Sequence, residues 1–498
     1  MHAPEPKALR TWLTQKVLAW AAILPRFRGG MIGHLQEIVE HNRTAAQRDK
    51  ERCRPADGAN IEFRHFRLIE LFPIEDLDTM VKGLRSLFQL EGRDHPYQHH
   101  LDEFEERADG LAYGGWTLVG TIIRSGSPFV VSSPVRLIPD LPEEVQQISI
   151  IEHKVLPSLF AVTADVFLTD KATSRLRSIQ SASYFPEVTF HHWNPRKWIN
   201  LYSTKGADAI TRDAVTSWID GLRLRIEVLL KPFACGHFLN TPDEENSRLP
   251  AVETYRLINV PLGVDSERSA RRSTGWWRSL GFHPSGLESF ESTEKLLSWT
   301  ESGGFRVARL CLAKAPEAEP VVEYIDTELL NDMLGAFAIN VLIDSLEGDL
   351  VKARRKAYQH LIFGLRFGLL SRDIRSVRAL SRRALVMKRL QIEFEASKDL
   401  ISDQMKHLSG MVNAAIPNKP RSLDSVLMNG IEWKTKLVEQ HVTLLKEAFS
   451  EHLSVLNIRL MYRLQLAIFW LTLAYTVLTL LAVVAVWPQL KEVWQKFH

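Results

Sequence analysis

The sequence predicts an α+β or α/β region, then an all-α region with a long stalk helix and one C-terminal transmembrane helix. Three observations predict this. Twenty of the 23 prolines lie at or before Pro320, and proline breaks helix interiors, so a mixed region precedes a helical one. Short β-rich runs recur only in the first of these regions. Finally, residues 464–487 (LQLAIFWLTLAYTVLTLLAVVAVW) contain no charged side chain, and about 20 such residues span a bilayer core as a helix.

Composition sets the outer bounds. Of 498 residues, 45% are apolar and 24% charged, with a net charge of +3. Such values suit folded domains and exclude an acidic or basic disordered tail or a collagen-like fibre. Cys53, Cys235 and Cys311 are far apart and odd in number. They offer no disulfide framework or paired zinc ligands, and suit a reducing compartment.

Residues 1–57 read as N-terminal helices. The apolar run 9–24 is interrupted by Arg10, Gln15 and Lys16 and stopped by Pro25, too short to span a membrane and without a signal-peptide cleavage site. It is expected to pack on the following domain.

Residues 58–320 form the predicted α/β domain, with an internal boundary expected near the Pro- and charge-rich 240–250 if there are two. Strands are predicted at Ile61–Phe72, Trp116–Ile123, Phe129–Ile138, Ile148–Lys154, Leu159–Leu168 and Phe305–Leu312 from their β-branched and aromatic content. Helices are predicted at Glu75–Phe88 and Asp208–Leu230 from period-3.6 apolar spacing.

Residues 321–416 hold no proline, Pro417 marking the break that follows, and space their apolar residues helically (Leu329, Leu330, Met333, Leu334, Phe337, Val341). This region is basic. Between Lys352 and Arg389 twelve Lys or Arg stand against one acid, Asp373. On a helix Arg372, Arg375, Arg378, Arg382, Arg383 and Arg389 share one face. That face is expected to be solvated or to meet an anion, either lipid headgroups or a nucleotide-like small molecule. Aromatic residues do not alternate with these arginines, so nucleic acid is not an expected partner.

From Ile431 to Trp487 there is neither Gly nor Pro over 57 residues, which as one helix would measure about 85 Å. Residues 431–463 read as the stalk, 464–487 as the span and 488–498 as a short tail. Val438, Val442, Leu445, Phe449, Leu453, Leu456 and Leu460 form a stripe that calls for a partner helix. Within the span, Leu464, Leu471, Leu478 and Ala485 recur every seven residues, as do Leu460, Ala467, Ala474 and Leu481. The two series define a helix–helix seam and predict a homo-oligomer. The layout is tail-anchored, in a cytoplasmic membrane with residues 1–460 in the cytosol; membrane lipids are the other expected partner.

Chemistry-bearing patterns are sparse, and a non-enzymatic protein is the leading expectation. Pro139-Asp140 followed by Glu152-His153-Lys154 resembles the PD-(D/E)xK nuclease motif, in which two carboxylates hold a divalent metal and the lysine positions water. It supports an alternative reading with Asp140, Glu152 and Lys154 as catalytic residues. His99, Glu103 and Glu106 would share a face of a helix starting at Pro96 and form a weak metal candidate. No cofactor is otherwise expected. Walker, G-x-S-x-G, HExxH and dinucleotide motifs are absent from the sequence.

In layout, residues 321–487 resemble the CorA family of divalent-cation channels, in which a cytosolic α/β domain precedes long helices that assemble as a ring. The resemblance implies an oligomeric stalk-and-pore plan, here in the setting of a regulated membrane effector such as one of antiviral defence. The family has two spans and a Gly-Met-Asn signature; this chain has one predicted span, and its nearest string is Gly410-Met411-Val412-Asn413. A third reading is a membrane scaffold.

Overall fold

The structure is a computed structural model. It describes residues 60–90, 116–124, 134–182, 187–194, 197–205, 207–240, 248–258, 278–282, 296–302, 307–313, 322–367, 370–406, 412–413 and 421–497, with isolated positions between 16 and 44. The chain divides into two compact units: residues 1–344 with 390–434, and residues 345–389 with 435–498.

In the first unit, ten described strands form one mixed sheet. They are β1 (Asn60–Pro73), β2 (Trp116–Arg124), β3 (Val135–Ile138), β4 (Val145–Leu156), β5 (Leu159–Leu168), β8 (Ala251–Ile258), β9 (Leu296–Ser302), β10 (Val307–Ala313), β11 (Val412–Asn413) and β12 (Arg421–Ser422). The order across the sheet is β12-β11-β9-β10-β8-β1-β5-β4-β2-β3. Pairs β8·β10, β9·β11 and β2·β3 are parallel, and the other pairs are antiparallel. The intervening strands β6 (Glu187–Asn194) and β7 (Lys197–Lys205) form a separate hairpin.

The central strand β1 is buried on both faces. Phe66, Leu68, Glu70 and Phe72 alternate with His65, Arg67, Ile69 and Leu71, and none is more than 2% exposed. Such two-sided burial requires cover on both sides. Helices α1 (Leu77–Phe88) and α3 (Ala207–Leu230) bring Leu84, Leu87 and Leu230 to a small void shared with Leu68, Ile150, Val162 and Ala164. The apolar residues of α1 recur at Met80, Val81, Leu84, Leu87 and Phe88, all buried. Gly83 lets this helix approach the turn after α3, because a Cβ there would fall 1.8 Å from the Phe233 carbonyl oxygen. Helix α2 (Asp170–Ser181) is tied to β1 by the Thr173 hydroxyl, which donates to the Phe63 carbonyl at 3.3 Å.

The proline boundary at 320 marks a change of secondary structure, whereas the compact first unit continues past it. Helices α4 (Val322–Phe367), α5 (Leu370–Gln404) and α6 (Leu423–Phe497) follow as predicted in type. Yet residues up to Asp344, and again 390–434, belong with the sheet. Burial explains why: Leu330, Met333, Phe337 and Val341 of α4, Phe394 and Ile401 of α5, and Leu423, Leu427 and Ile431 of α6 are all buried. The chain then returns to the sheet itself, Val412 of β11 pairing with Leu296 of β9. Lys434 Nζ donates to Asp344 Oδ2 at 2.7 Å, and Asn340 Nδ2 to the Leu427 carbonyl at 3.3 Å, fixing α6 against α4. The Ser158 hydroxyl, in the turn between β4 and β5, donates to Glu393 Oε2 at 2.5 Å and anchors α5.

Two boundaries differ from expectation. Helix α6 begins at Leu423, eight residues before Ile431, with Gly430 inside it, and runs through Pro488 to Phe497. Among the described N-terminal positions, Lys16, Trp20, Ala21 and Ile23 are helical, Ala21 is fully buried, and Gln36 Nε2 donates to the carbonyls of Ala21 and Leu24 at 3.1 and 3.0 Å. Trp20 and Ile23 are exposed, and most of the rest of this segment lies outside the described residues.

Candidate functional site

The segment Leu460–Pro488 of α6 is 29 residues long, carries almost no charge and has none of its residues buried. It is long and apolar enough to span a membrane. The second long apolar stretch, Leu329–Asp349 of α4, is about two-thirds buried, as a core helix is. In Leu460–Pro488 the large apolar side chains face solvent in every direction, among them Phe469, Trp470, Leu471, Leu478, Val484 and Trp487. In water that surface would be strongly unfavourable at roughly 25 cal/mol per Å². The seam residues Leu464, Ala467, Leu471, Ala474, Leu478, Leu481 and Ala485 are likewise exposed.

Three threonines in the segment leave two readings at sequence level, a polar path or bonds to their own helix. The hydroxyls of Thr472, Thr476 and Thr479 donate to the carbonyls of Ile468, Thr472 and Tyr475, each at 2.8 Å. Their polar groups are thereby satisfied within the helix.

The first unit has a polar interior on its sheet. Arg67 grips Asp165 with Nε–Oδ1 and Nη2–Oδ2 distances of 2.6 Å. His65 lies beside them, its Nε2 3.9 Å from Asp165 Oδ2, and burial lowers its pKa to about 4. His153, hydrogen-bonded to the Thr163 hydroxyl at 3.4 Å, is also driven down by burial. On the opposite face Glu70 accepts from the backbone N–H groups of Leu71, Phe238 and Leu239 at 2.8–2.9 Å. Burial nevertheless raises its pKa to about 7, the three N–H groups opposing the rise. The Arg67–Asp165 pair and the bonds of Glu70 to Phe238 and Leu239 each pin chain segments distant in sequence.

The nuclease residues are separated. Asp140 is exposed in the turn after β3, while Glu152 is fully buried on β4. Arg124 of β2 pairs with Ile138, and Thr117 of β2 with Glu152. Seven residues of β2 separate those levels, about 23 Å at 3.3 Å per residue. One cation with ligands at 2–2.6 Å cannot reach both carboxylates. Lys154 is almost fully buried and lines a cleft of about 130 Å³ with Trp116, His153, Asn331, Asp332 and Gln404.

His99, Glu103 and Glu106 lie outside the described residues, and among the described residues no three His, Cys, Asp or Glu side chains converge as a metal site. Arg372, Arg375, Arg378, Arg382 and Arg383 lie on the helical backbone of α5, with side chains outside the described set; Arg389 is exposed. Val412-Asn413, the end of the string nearest the channel signature, forms a sheet strand.

No known family model, curated protein or solved structure matches this chain. The geometry therefore stands alone.

The polar interior was missed at sequence level. Its signal was present: His65, Arg67 and Glu70 interrupt the apolar run of β1 at positions that a sheet covered on both faces must bury. Their partners lie up to 169 residues away, so no local pattern names them.

Proposed function

We propose that the chain is a single-span membrane protein that self-associates through Leu460–Pro488, with its sheet-bearing unit in the cytosol receiving a signal and acting on the membrane through the long helices. The observation that carries this reading is the 29-residue apolar segment with no buried residue, continuous with the helix that opens at Leu423 within the sheet-bearing unit. The two seven-residue series support a parallel helix seam, and small Ala467 and Ala474 suit close approach. The CorA-like layout favours a pore-forming ring, as in a defence effector gated by an anionic small molecule or nucleotide.

The test uses the full chain. It should resist alkaline carbonate extraction from membranes, run as a fixed multiple of its 56.9 kDa mass in mild detergent, and conduct ions in liposomes. Ala467→Trp with Ala474→Trp should reduce the mass and abolish the flux. Carbonate extraction would overturn the anchor, and a monomer in detergent would overturn the assembly.

A further inference from the structure

Beside α3 lies an open groove of about 740 Å³ that shares no lining residue with the cleft at Lys154. Arg309 of β10, a side chain only 9% exposed, lines it. Arg309 Nε donates to Glu253 Oε2 at 2.8 Å, and the Tyr255 hydroxyl donates to the same oxygen at 2.9 Å. The guanidinium is thus held in one orientation while part of it lines the groove. Room for it comes from Gly281, at φ 84°, where a Cβ would fall 2.6 Å from Arg309 Nη1. Arg212, Arg248, Thr216 and Ser217 also line the groove.

The charges do not cancel. Asp220 is shared by Arg223 at 3.3 Å and Arg248 at 3.7 Å, and Asp213 is engaged by Lys205. Among the side chains that line the groove, three arginines (Arg212, Arg248, Arg309) stand against two carboxylates (Asp213, Asp220). Among the described residues no carboxylate pairs with Arg212. Arginine forks backed by hydroxyl donors match the oxygens of phosphate, and the volume fits a ligand of nucleotide size.

We infer that this groove binds a phosphorylated small molecule carrying several negative charges, with Arg309 as the preset contact and Arg212 and Arg248 closing on it. The site stands on the groove; its role as the signal's receptor rests on the function proposed above.

Calorimetric titration of the full chain in detergent, with pyrophosphate and separately with ATP, tests it. One equivalent per chain should bind, more weakly at higher salt. Arg212→Gln with Arg248→Gln should weaken binding at least tenfold at an unchanged melting temperature, and Asp213→Asn should strengthen it severalfold. Tighter binding of ATP would support a nucleotide as the source, and equal binding would support recognition of phosphate alone. No binding of either probe, or equal binding by the double arginine variant, would overturn the proposal. Carbonate extraction of the membranes from which the chain is solubilised separates this failure from failure of the membrane reading.

Discussion

Arg67 and Asp165, 98 residues apart, stand directly opposite each other on β1 and β5 and close a two-pronged ion pair with both distances at 2.6 Å. Neither side chain is more than 1% exposed. Breaking one partner leaves a charge in the sheet interior without its counter-ion. Asp165→Asn is therefore expected to destabilise the first unit by about 3–5 kcal/mol. Replacing both with Met and Leu should recover much of the loss. Thermal unfolding of the detergent-solubilised chain reads this, and a single variant as stable as the parent would contradict it.

Glu70 and His65 should oppose each other in pH dependence. Glu70 is raised from 4.5 to about 7, so its stabilising contribution is full below pH 4.5 and is lost as pH rises to 7. His65 is lowered from 6.5 to about 4, so its contribution is full above pH 6.5 and is lost as pH falls to 4. Each change spans about 3 kcal/mol by linkage at 1.36 kcal/mol per pKa unit. Relative to the parent, Glu70→Gln should gain stability as pH rises from 4.5 to 7, and His65→Gln should gain it as pH falls from 6.5 to 4. Melting temperatures from pH 4 to 8 decide; parallel profiles for all three chains would refute the assignment.

Lys434, 3% exposed, is the cation that ties α6 to Asp344 of α4. Lys434→Met is expected to lower stability by about 1.5–3 kcal/mol, because the buried ammonium's bonds to Asp344 and to the Asn340 carbonyl are lost. A double-mutant cycle with Asp344→Leu should show a coupling of about 1–3 kcal/mol. A coupling near zero would mean that the pair contributes little to holding the helices.

Charge in the apolar segment should prevent anchoring. Leu471→Arg with Leu478→Arg adds about 5 kcal/mol or more to insertion, and should move the chain from the membrane pellet to the carbonate supernatant. By contrast, Thr472→Val, Thr476→Val and Thr479→Val together should leave anchoring and oligomer mass unchanged, because those hydroxyls bond only to their own helix in the structure. Lost assembly in the threonine variant would mean that they bond between chains.

Orientation is tested by protease protection in sealed right-side-out vesicles. Residues 1–460 should be protected until the membrane is opened. Cleavage of the large domain from outside would refute a cytosolic placement.

What the sequence determined by itself is what repeats locally. The absence of charge from Leu464 to Trp487 is a property of one segment, as is the 3.6-residue spacing of Met80, Leu84 and Leu87. Strand β5 was legible to the residue, Leu159–Leu168, for the same reason. Tertiary structure decided what depends on register between distant segments. It seats β8 beside β1 and parallel to β10, returns Val412 to Leu296, and groups α4, α5 and α6 in part with the sheet. Strand β8 and the β6–β7 hairpin escaped sequence reading, because short runs such as AVETYRLI become strands through their neighbours' hydrogen bonds as much as by propensity. The same reason separates Asp140 from Glu152: twelve residues in sequence suggest proximity, but the turn and the β2 register carry them to different levels of the sheet. Arg309, Arg212 and Arg248 meet at one groove only because β10 and α3 are brought together by folding. Pairing energies between segments are set by three-dimensional register, which periodicity within a segment does not encode.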